Sequence, residues 1–283
     1  MSENLEECMT TPLLISKSNP MVRTIRLVAS RSRRAPEGIV LAEGIRVLEA
    51  ATHSACEIEA VLTAESFGDN ARETSLLQEW HHRGIPIRRA SGSLLKGLSD
   101  VIFFQGALAL VRMPRSTLAC LQKTPRPLLL CLCRIQDPGN LGTLLRTARA
   151  TGVSCVCTIP GTVSVANPKA IRASAGACFS LPIVEALNPE VFVECCRTRR
   201  IPLYRADAGA KQSCWATDLS GSAAILLGNE ARGLPESEWP GVSGIRVPMV
   251  PGVESLNVAA AGAMLLFEAL RQRARNPSVR GIG

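Results

Sequence analysis

Aromatic residues are scarce in this chain. They make up 4% of 283 residues, with a single tyrosine. A platform that stacks nucleobases needs exposed rings, so any nucleic-acid contact is expected to rest on phosphates, shape and a pocket. No apolar run is long enough to span a bilayer. Met1 to Cys8 is acidic and short of apolar residues, unlike a secretory signal. Only three histidines occur, His53, His81 and His82, and they read as surface helix residues. No pair of C-x-x-C knuckles appears, so no metal site is expected. There is no G-x-G-x-x-G behind a strand, no G-x-x-x-x-G-K-[ST] and no G-x-S-x-G. A Rossmann cofactor site, a P-loop and a hydrolase triad therefore have no anchor.

What is present is a large apolar fraction, 46%, and a net charge of +8. The first predicts a sizeable core and the second an anionic partner, with nucleic acid the natural candidate. Lys17, Arg23, Arg26, Arg31, Arg33 and Arg34 cluster without an intervening acid, and Arg271, Arg273, Arg275 and Arg280 lie near the end. Each alone is as well explained by a solvated helix face or a frayed tail. As a group they read as phosphate contacts, with Arg23, Arg26, Arg31, Arg33 and Arg34 the candidate RNA-binding set. Eleven cysteines are present, an odd count. Cys131/Cys133 and Cys155/Cys157 fall on predicted strands, where alternate residues share a face. They read as small apolar residues of a reducing, cytoplasmic protein.

Apolar spacing divides the chain into an arm (1–19), a small α/β domain (20–112), a proline-bearing linker (113–127) and a second α/β domain (128–283). Predicted helices cover Val22–Ser30, Gly44–Thr52 and Arg72–His82 in the first domain. In the second they cover Leu141–Thr151, Pro168–Ala175, Val191–Arg199 and Leu256–Arg273. Leu128–Arg134 is a continuous apolar run, as a buried parallel strand should be. Alternating strands and helices predict a mostly parallel sheet covered by helices. The last helix is apolar almost all round from Val258 to Phe267. That leaves two faces to cover: one on the sheet, the other on a partner helix or within the same subunit.

Three stretches carry chemistry. Asp137 to Ala148, D-P-G-N-L-G-T-L-L-R-T-A, follows a buried strand and opens a helix, where open α/β sheets bind ligands. Asn140 is well placed as an N-cap and Arg146 as an exposed helix residue, and both readings compete with function. Ile225 to Leu234, I-L-L-G-N-E-A-R-G-L, ends a strand in Gly-Asn-Glu. Gly228 would allow close backbone approach to a ligand, while Glu230 could simply be solvated. Val247 to Asn257, V-P-M-V-P-G-V-E-S-L-N, leads into the last helix, which Ser255 and Asn257 could merely cap.

In order and spacing these stretches resemble the three signature motifs of the SpoU/TrmH family, S-adenosylmethionine-dependent RNA ribose 2′-O-methyltransferases of the SPOUT superfamily. Asn167 to Ala177 resembles the family's stretch between the first two motifs. Glu37-Gly38 and Ala42 to Arg46 resemble its substrate-binding domain. The resemblance implies an α/β fold with a C-terminal trefoil knot, a homodimer formed through the knotted domain, and RNA as partner, ribosomal rather than transfer RNA. It implies S-adenosylmethionine held by Leu227, Gly228, Val247, Met249 and Leu256, without a metal. Asn140, Arg146, Glu230, Ser255 and Asn257 match its polar catalytic set. Arg146 matches a residue assigned as general base, although a guanidinium stays protonated at ordinary pH and could instead bind a phosphate. A transfer RNA methyltransferase and a non-catalytic RNA-binding or assembly protein of the same fold are the alternatives.

Overall fold

The computed structural model describes residues 13–122, 124–229, 233–234 and 239–275. The chain forms two compact units, Met1–Pro114 with Ala166–Ser180, and Arg115–Val165 with Leu181–Gly283. Of the expected arm, residues 1–12 lie outside the described residues. Leu14 is held by backbone bonds to Arg89 O and from Ser91 N.

The first unit contains α1 (Pro20–Ala29), β1 (Ile39–Glu43), α2 (Ile45–Thr52), β2 (Glu57–Thr63), α3 (Ala71–His82), β3 (Ile87–Arg89), α4 (Gly92–Lys96) and β4 (Ala107–Arg112). The strands pair in the order β1-β4-β2-β3, with only β2 and β3 parallel. Period-2 alternation gives the sheet two apolar faces. Ile39, Leu41, Leu62, Leu108 and Leu110 pack with Val22, Ile25 and Val28 of α1 and with Leu94, Leu95 and Leu98. Val40, Ala42, Val61, Ala109 and Val111 point the other way and are buried.

Residues 166–180, which apolar spacing assigns to the second domain, pack into this unit. Arg172 Nη1 lies 3.2 Å from Glu43 Oε2, and that carboxylate is 4% exposed. Gly176, at φ +80°, runs so close to α2 that a Cβ there would lie 2.4 Å from Ala50 Cβ.

The second unit contains β5 (Leu128–Cys133), α5 (Pro138–Ala150), β6 (Cys155–Ile159), β7 (Ile183–Val184), α7 (Pro189–Thr198), β8 (Leu203–Ala206), β9 (Gln212–Ser213), β10 (Ala223–Leu227), β11 (Ser243–Arg246) and α8 (Val258–Ala274). The short helix α6 (Pro168–Ala173) belongs to the segment that joins the first unit. The seven strands are parallel, in the order β7-β6-β5-β10-β8-β11-β9. Cys131, Cys133, Cys155 and Cys157 share one sheet face with Leu129 and Leu226, under Phe192 and Cys196 of α7. Burial pushes the Cys131 thiol well above the ordinary range and the Cys196 thiol up to about 12. These sulfurs act as packing atoms, since the reactive thiolate form is suppressed.

Four helices open alike. Asn19-Pro20, Asp137-Pro138, Asn167-Pro168 and Asn188-Pro189 each place a capping side-chain oxygen before a proline at the helix start. Proline there loses no hydrogen bond and its φ is already helical. Apolar spacing alone predicts the starts of α1, α5 and α7 late, at Val22, Leu141 and Val191, because proline reads as a breaker. For α5 this corrects the capping assignment. Asp137, not Asn140, is the N-cap, and its Oδ1 accepts the Asn140 N–H at 2.7 Å.

The basic tail also needs correction. Arg271 is engaged by Glu268 at 2.6 Å. Arg273 turns inward and donates to the backbone carbonyls of Arg126 (3.0 Å), Leu219 (3.2 Å), Pro127 (3.4 Å) and Gly221. Arg280 lies outside the described residues. Arg273 therefore staples the end of α8 to the entry of β5 and β10. Arg273→Gln should destabilise the protein by about 2–4 kcal/mol, because several buried carbonyls lose their donor. Arg271→Gln should leave the midpoint of a urea unfolding curve unchanged, and equal midpoints for the two variants would refute the staple.

Candidate functional site

Parallel strands bring their carboxyl ends to one edge, and ligands of open α/β sheets bind there. The loops after β8, β10 and β11 meet at that edge around a cavity of about 460 Å³. Small-molecule sites fall in the range of about 300–1,000 Å³. Ala206, Asp207 and Ala208 line it from the β8 end. Leu227, Gly228, Asn229, Gly233 and Leu234 come from β10 and its turn. Val247, Met249, Ser255 and Leu256 come from the loop after β11, and Val258, Ala261 and Leu265 from α8. Most of the lining side chains are apolar, and among the described residues the polar ones are Asp207, Asn229 and Ser255.

Backbone shape matters as much as side chains here. A Cβ at Gly228 would lie 2.4 Å from the carbonyl carbon of Gly233 and 2.6 Å from Leu234 Cγ. Only glycine lets the strand end fold this tightly against the following turn. The turn closes by Gly233 N–H donating to Asn229 O at 2.8 Å. Loop residues lie outside the ladders, where backbone N–H and C=O groups can turn toward a ligand.

Two side-chain amides stitch the loops together. Asn229 Nδ2 donates to Arg134 O at 3.0 Å, tying the end of β10 to the end of β5. Asn257 caps α8, its Oδ1 accepting from Ala259 N at 2.8 Å and Ala260 N at 3.2 Å. Its Nδ2 donates to Asn140 Oδ1 at 3.0 Å. Capping thus uses only one end of the Asn257 amide, and the other end joins residues 117 positions apart. At the far rim, Arg205 Nη1 donates to Asp207 Oδ2 at 2.6 Å, and Gly209 N donates to Asp207 Oδ1 at 2.9 Å. The Asp207 charge is therefore balanced within the unit.

All five residues expected to hold a cofactor, Leu227, Gly228, Val247, Met249 and Leu256, line this one cavity. Of the expected polar set, Ser255 lines it, and Asn140 and Asn257 bond to each other beside it. Glu230 lies outside the described residues. Arg146 is exposed on α5 and is not among the lining residues. Asp207 and Ala208 were not anticipated. The strand before them is visible in the sequence, but its place beside β10 is set by sheet order, which one sequence does not display. Among the described residues, no group of three or more His, Cys, Asp and Glu side chains is placed to hold a metal ion. No helix among them is long and apolar enough to cross a membrane.

Residues 127–267 match the SpoU rRNA methylase family, and residues 19–109 match an MRM3-like substrate binding domain. An uncharacterized tRNA/rRNA methyltransferase of Synechocystis is 31% identical, over 92% of this chain and 94% of its own length. A 23S rRNA (guanosine-2′-O-)-methyltransferase of Xanthomonas axonopodis is 32% identical, over 74% of this chain and 87% of its own. The crystal structure of an AdoMet-bound rRNA methyltransferase from Sinorhizobium meliloti superposes with a TM-score of 0.79 at 25% identity, covering 92% of this chain and 97% of that one.

The two roles of Asn257 can be separated. Asn257→Asp keeps the capping oxygen but loses the donor to Asn140, whereas Asn257→Ala loses both. Alanine should cost about 1–2 kcal/mol through the cap, and aspartate clearly less. Denaturant midpoints check this, and equal losses would mean that the cap contributes little.

Proposed function

This chain belongs to the SpoU rRNA methylase family, and we propose that it methylates a ribose 2′-oxygen of ribosomal RNA with S-adenosylmethionine bound in the cavity at the edge of the second sheet. It is an S-adenosylmethionine-dependent RNA methyltransferase. The observation that carries the site assignment is the cavity itself, where five positions matched to cofactor contacts, from the end of β10 and the loop after β11, meet the β8 loop and α8. Apolar lining side chains suit an adenine ring and a thioether, and polar loop backbone suits the polar atoms around them. When bound, the cofactor supplies an electrophilic methyl group.

The chain's own residues position that chemistry. Methyl transfer needs the attacking oxygen held in line with the methyl group, which is chiefly an orientational task. Asn257 and Asn140 lock the start of α8 to α5 and fix the loop that carries Ser255 and Leu256. Ser255 faces the cavity with a hydroxyl that can both donate and accept. Arg146 has no lone pair to take a proton. In this reading it binds the phosphate beside the target ribose, and Glu230 balances the nearby positive charge.

Arg146 does not line the cavity of its own chain, and this supports a site completed by a second copy. Met264 and Phe267 on α8 are 48% and 53% exposed, and Val250 and Val253 of the preceding loop are 71% and 45% exposed. With Ala260, Met264 and Phe267 follow the spacing of one helix face. We assign this face to a two-fold dimer contact, with α8 as the threaded segment of a trefoil knot. Ten free cysteines among the described residues support a reducing compartment, which we take to be the cytoplasm. The first unit supplies RNA affinity. Arg23, Arg31, Arg33 and Arg34 are exposed and Arg26 half-buried, and none makes an ion pair or side-chain hydrogen bond among the described residues.

Mapping of 2′-O-methyl sites in RNA from cells with and without the gene tests the substrate. A missing site in ribosomal RNA supports this reading, and one in transfer RNA replaces it. Arg146→Ala should abolish methyl transfer while leaving S-adenosylmethionine affinity, measured by calorimetry with excess chelator, within about twofold. Mixed dimers of Arg146→Ala and Asn257→Ala subunits should recover activity if each site borrows from its neighbour. Near-normal turnover by the Arg146 variant would sink its assignment.

Replacing Arg23, Arg31, Arg33 and Arg34 together by serine should flatten the plot of log affinity against log salt. The expected change is about 0.9 per lost phosphate contact on duplex and about 0.7 on single strands. An unchanged slope would place the RNA surface elsewhere.

A further inference from the structure

The first unit has one end where apolar and cationic groups gather. Thr63, Arg89 and Ala107 lie in register, with Glu43 one step away opposite Leu108, and they mark that end of the sheet. The chain bends there from α4 into β4 through residues 97–106, and the base of this loop is tied down. Leu98 is buried and Phe104 packs against the same core. Ser99 Oγ donates to Glu43 Oε1 and accepts from Val101 N at 3.0 Å. Gln105 Oε1 accepts from Ile45 N at 2.8 Å, and Ala64 N donates to Gly106 O at 2.6 Å.

Between these anchors Ile102 and Phe103 stand in solvent, 93% and 84% exposed. Ile15, 72% exposed, adjoins Leu14, which pairs with Ala90 just past β3 at the same end. These three are the large exposed apolar residues of the described first unit. Nothing in the core calls for them, because the loop is already anchored by Leu98 and Phe104.

Their surroundings are basic. Lys17 and Arg23 follow Leu14 in the chain, and neither has an acidic partner among the described residues. Arg46 follows Ile45, the residue that Gln105 grips. The Glu43 carboxylate is occupied by Ser99 and Arg172. Asp100 and Glu65 are exposed, and Glu49, three residues from Arg46, is engaged by Arg72 at 2.6 Å. An apolar tip on a rigid base, flanked by cations, matches a nucleobase flanked by its phosphates better than an apolar protein groove.

We propose that the Ile102–Phe103 tip is a wedge that contacts an unpaired base of the RNA substrate, with Lys17, Arg23 and Arg46 on the neighbouring phosphates. This rests on the reading of the chain as an RNA methyltransferase. It also qualifies the inference from aromatic scarcity: one ring at an exposed apex can do what a platform of several would do elsewhere.

The test uses the full chain and three RNAs: an unmodified transcript of large-subunit ribosomal RNA, a short duplex, and the same duplex with one bulged nucleotide. Phe103→Ala should weaken binding to the transcript and the bulged duplex by about 5- to 150-fold, the range for removing one base–aromatic stack. The plain duplex should bind as before. The salt slope, S-adenosylmethionine affinity and melting temperature should not change, and Phe103→Trp should restore affinity. If wild type binds and methylates the transcript but Phe103→Ala binds it equally well, the wedge is wrong and the methyltransferase reading survives. If affinity is lost together with melting temperature, the tip is structural and the wedge is again wrong. A wild-type protein that neither binds nor methylates any RNA would overturn the reading beneath both.

Discussion

Close contact between α8 and the two elements beneath it sets the position of everything at the carboxyl edge of the second sheet. A Cβ at residue 262 would lie 2.4 Å from Leu144 Cδ2 and 2.7 Å from Leu227 Cδ1. Glycine at this position lets α8 settle onto α5 and β10 at a distance no larger residue permits. Val258, Ala261 and Leu265 then form a wall of the cavity, and Asn257, at the start of the same helix, arrives beside Asn140. Any residue that lifted α8 would open the cavity and break the amide pair together.

On the proposed function, the two units would meet their ligands by different physics. The second presents a pocket of loops whose frame a few side chains fix. Its shape depends on close approach, as at Gly228 and Gly262, rather than on charge. The first unit presents separated cations on an open surface, where affinity grows with each phosphate neutralised and fades with salt. On that reading small-molecule selectivity and RNA affinity would be altered independently, one through packing and the other through charge.

Much of this was legible in the residues, and the failures have physical causes. Leu128–Cys133 and Ala223–Leu227 were visible as strands because both their faces are buried, so apolar residues run unbroken. The second and third motifs located the cavity because much of its lining comes from loops that directly follow strands, and the first motif lies beside it through Asn140. Asn140 was misread as a cap because Asp137-Pro138 moves the helix start back one turn. Arg273 was read as part of a tail because a long basic side chain at a helix end looks the same whether it faces water or four carbonyls. The contributions of Asp207 and of residues 166–180 depend on strand order and on a return to the first unit. A local pattern carries neither. The exposure of Phe103 depends on neighbours that satisfy the core without it.

The return of residues 166–180 to the first unit bears on how the protein is made. Glu43 is almost wholly buried, and its ion-pair partner, Arg172, arrives only with this segment, as does Gly176 against α2. A nascent chain that ends at Pro114 holds every strand of the first sheet but leaves part of one face and a buried carboxylate uncovered. Residues 115–180 take about 3–13 s to synthesise at about 5–20 residues per second. During that interval β5, α5 and β6 of the second unit also emerge. Completion of the first unit is therefore tied to the growth of the second, and the order of folding departs from simple N-to-C succession.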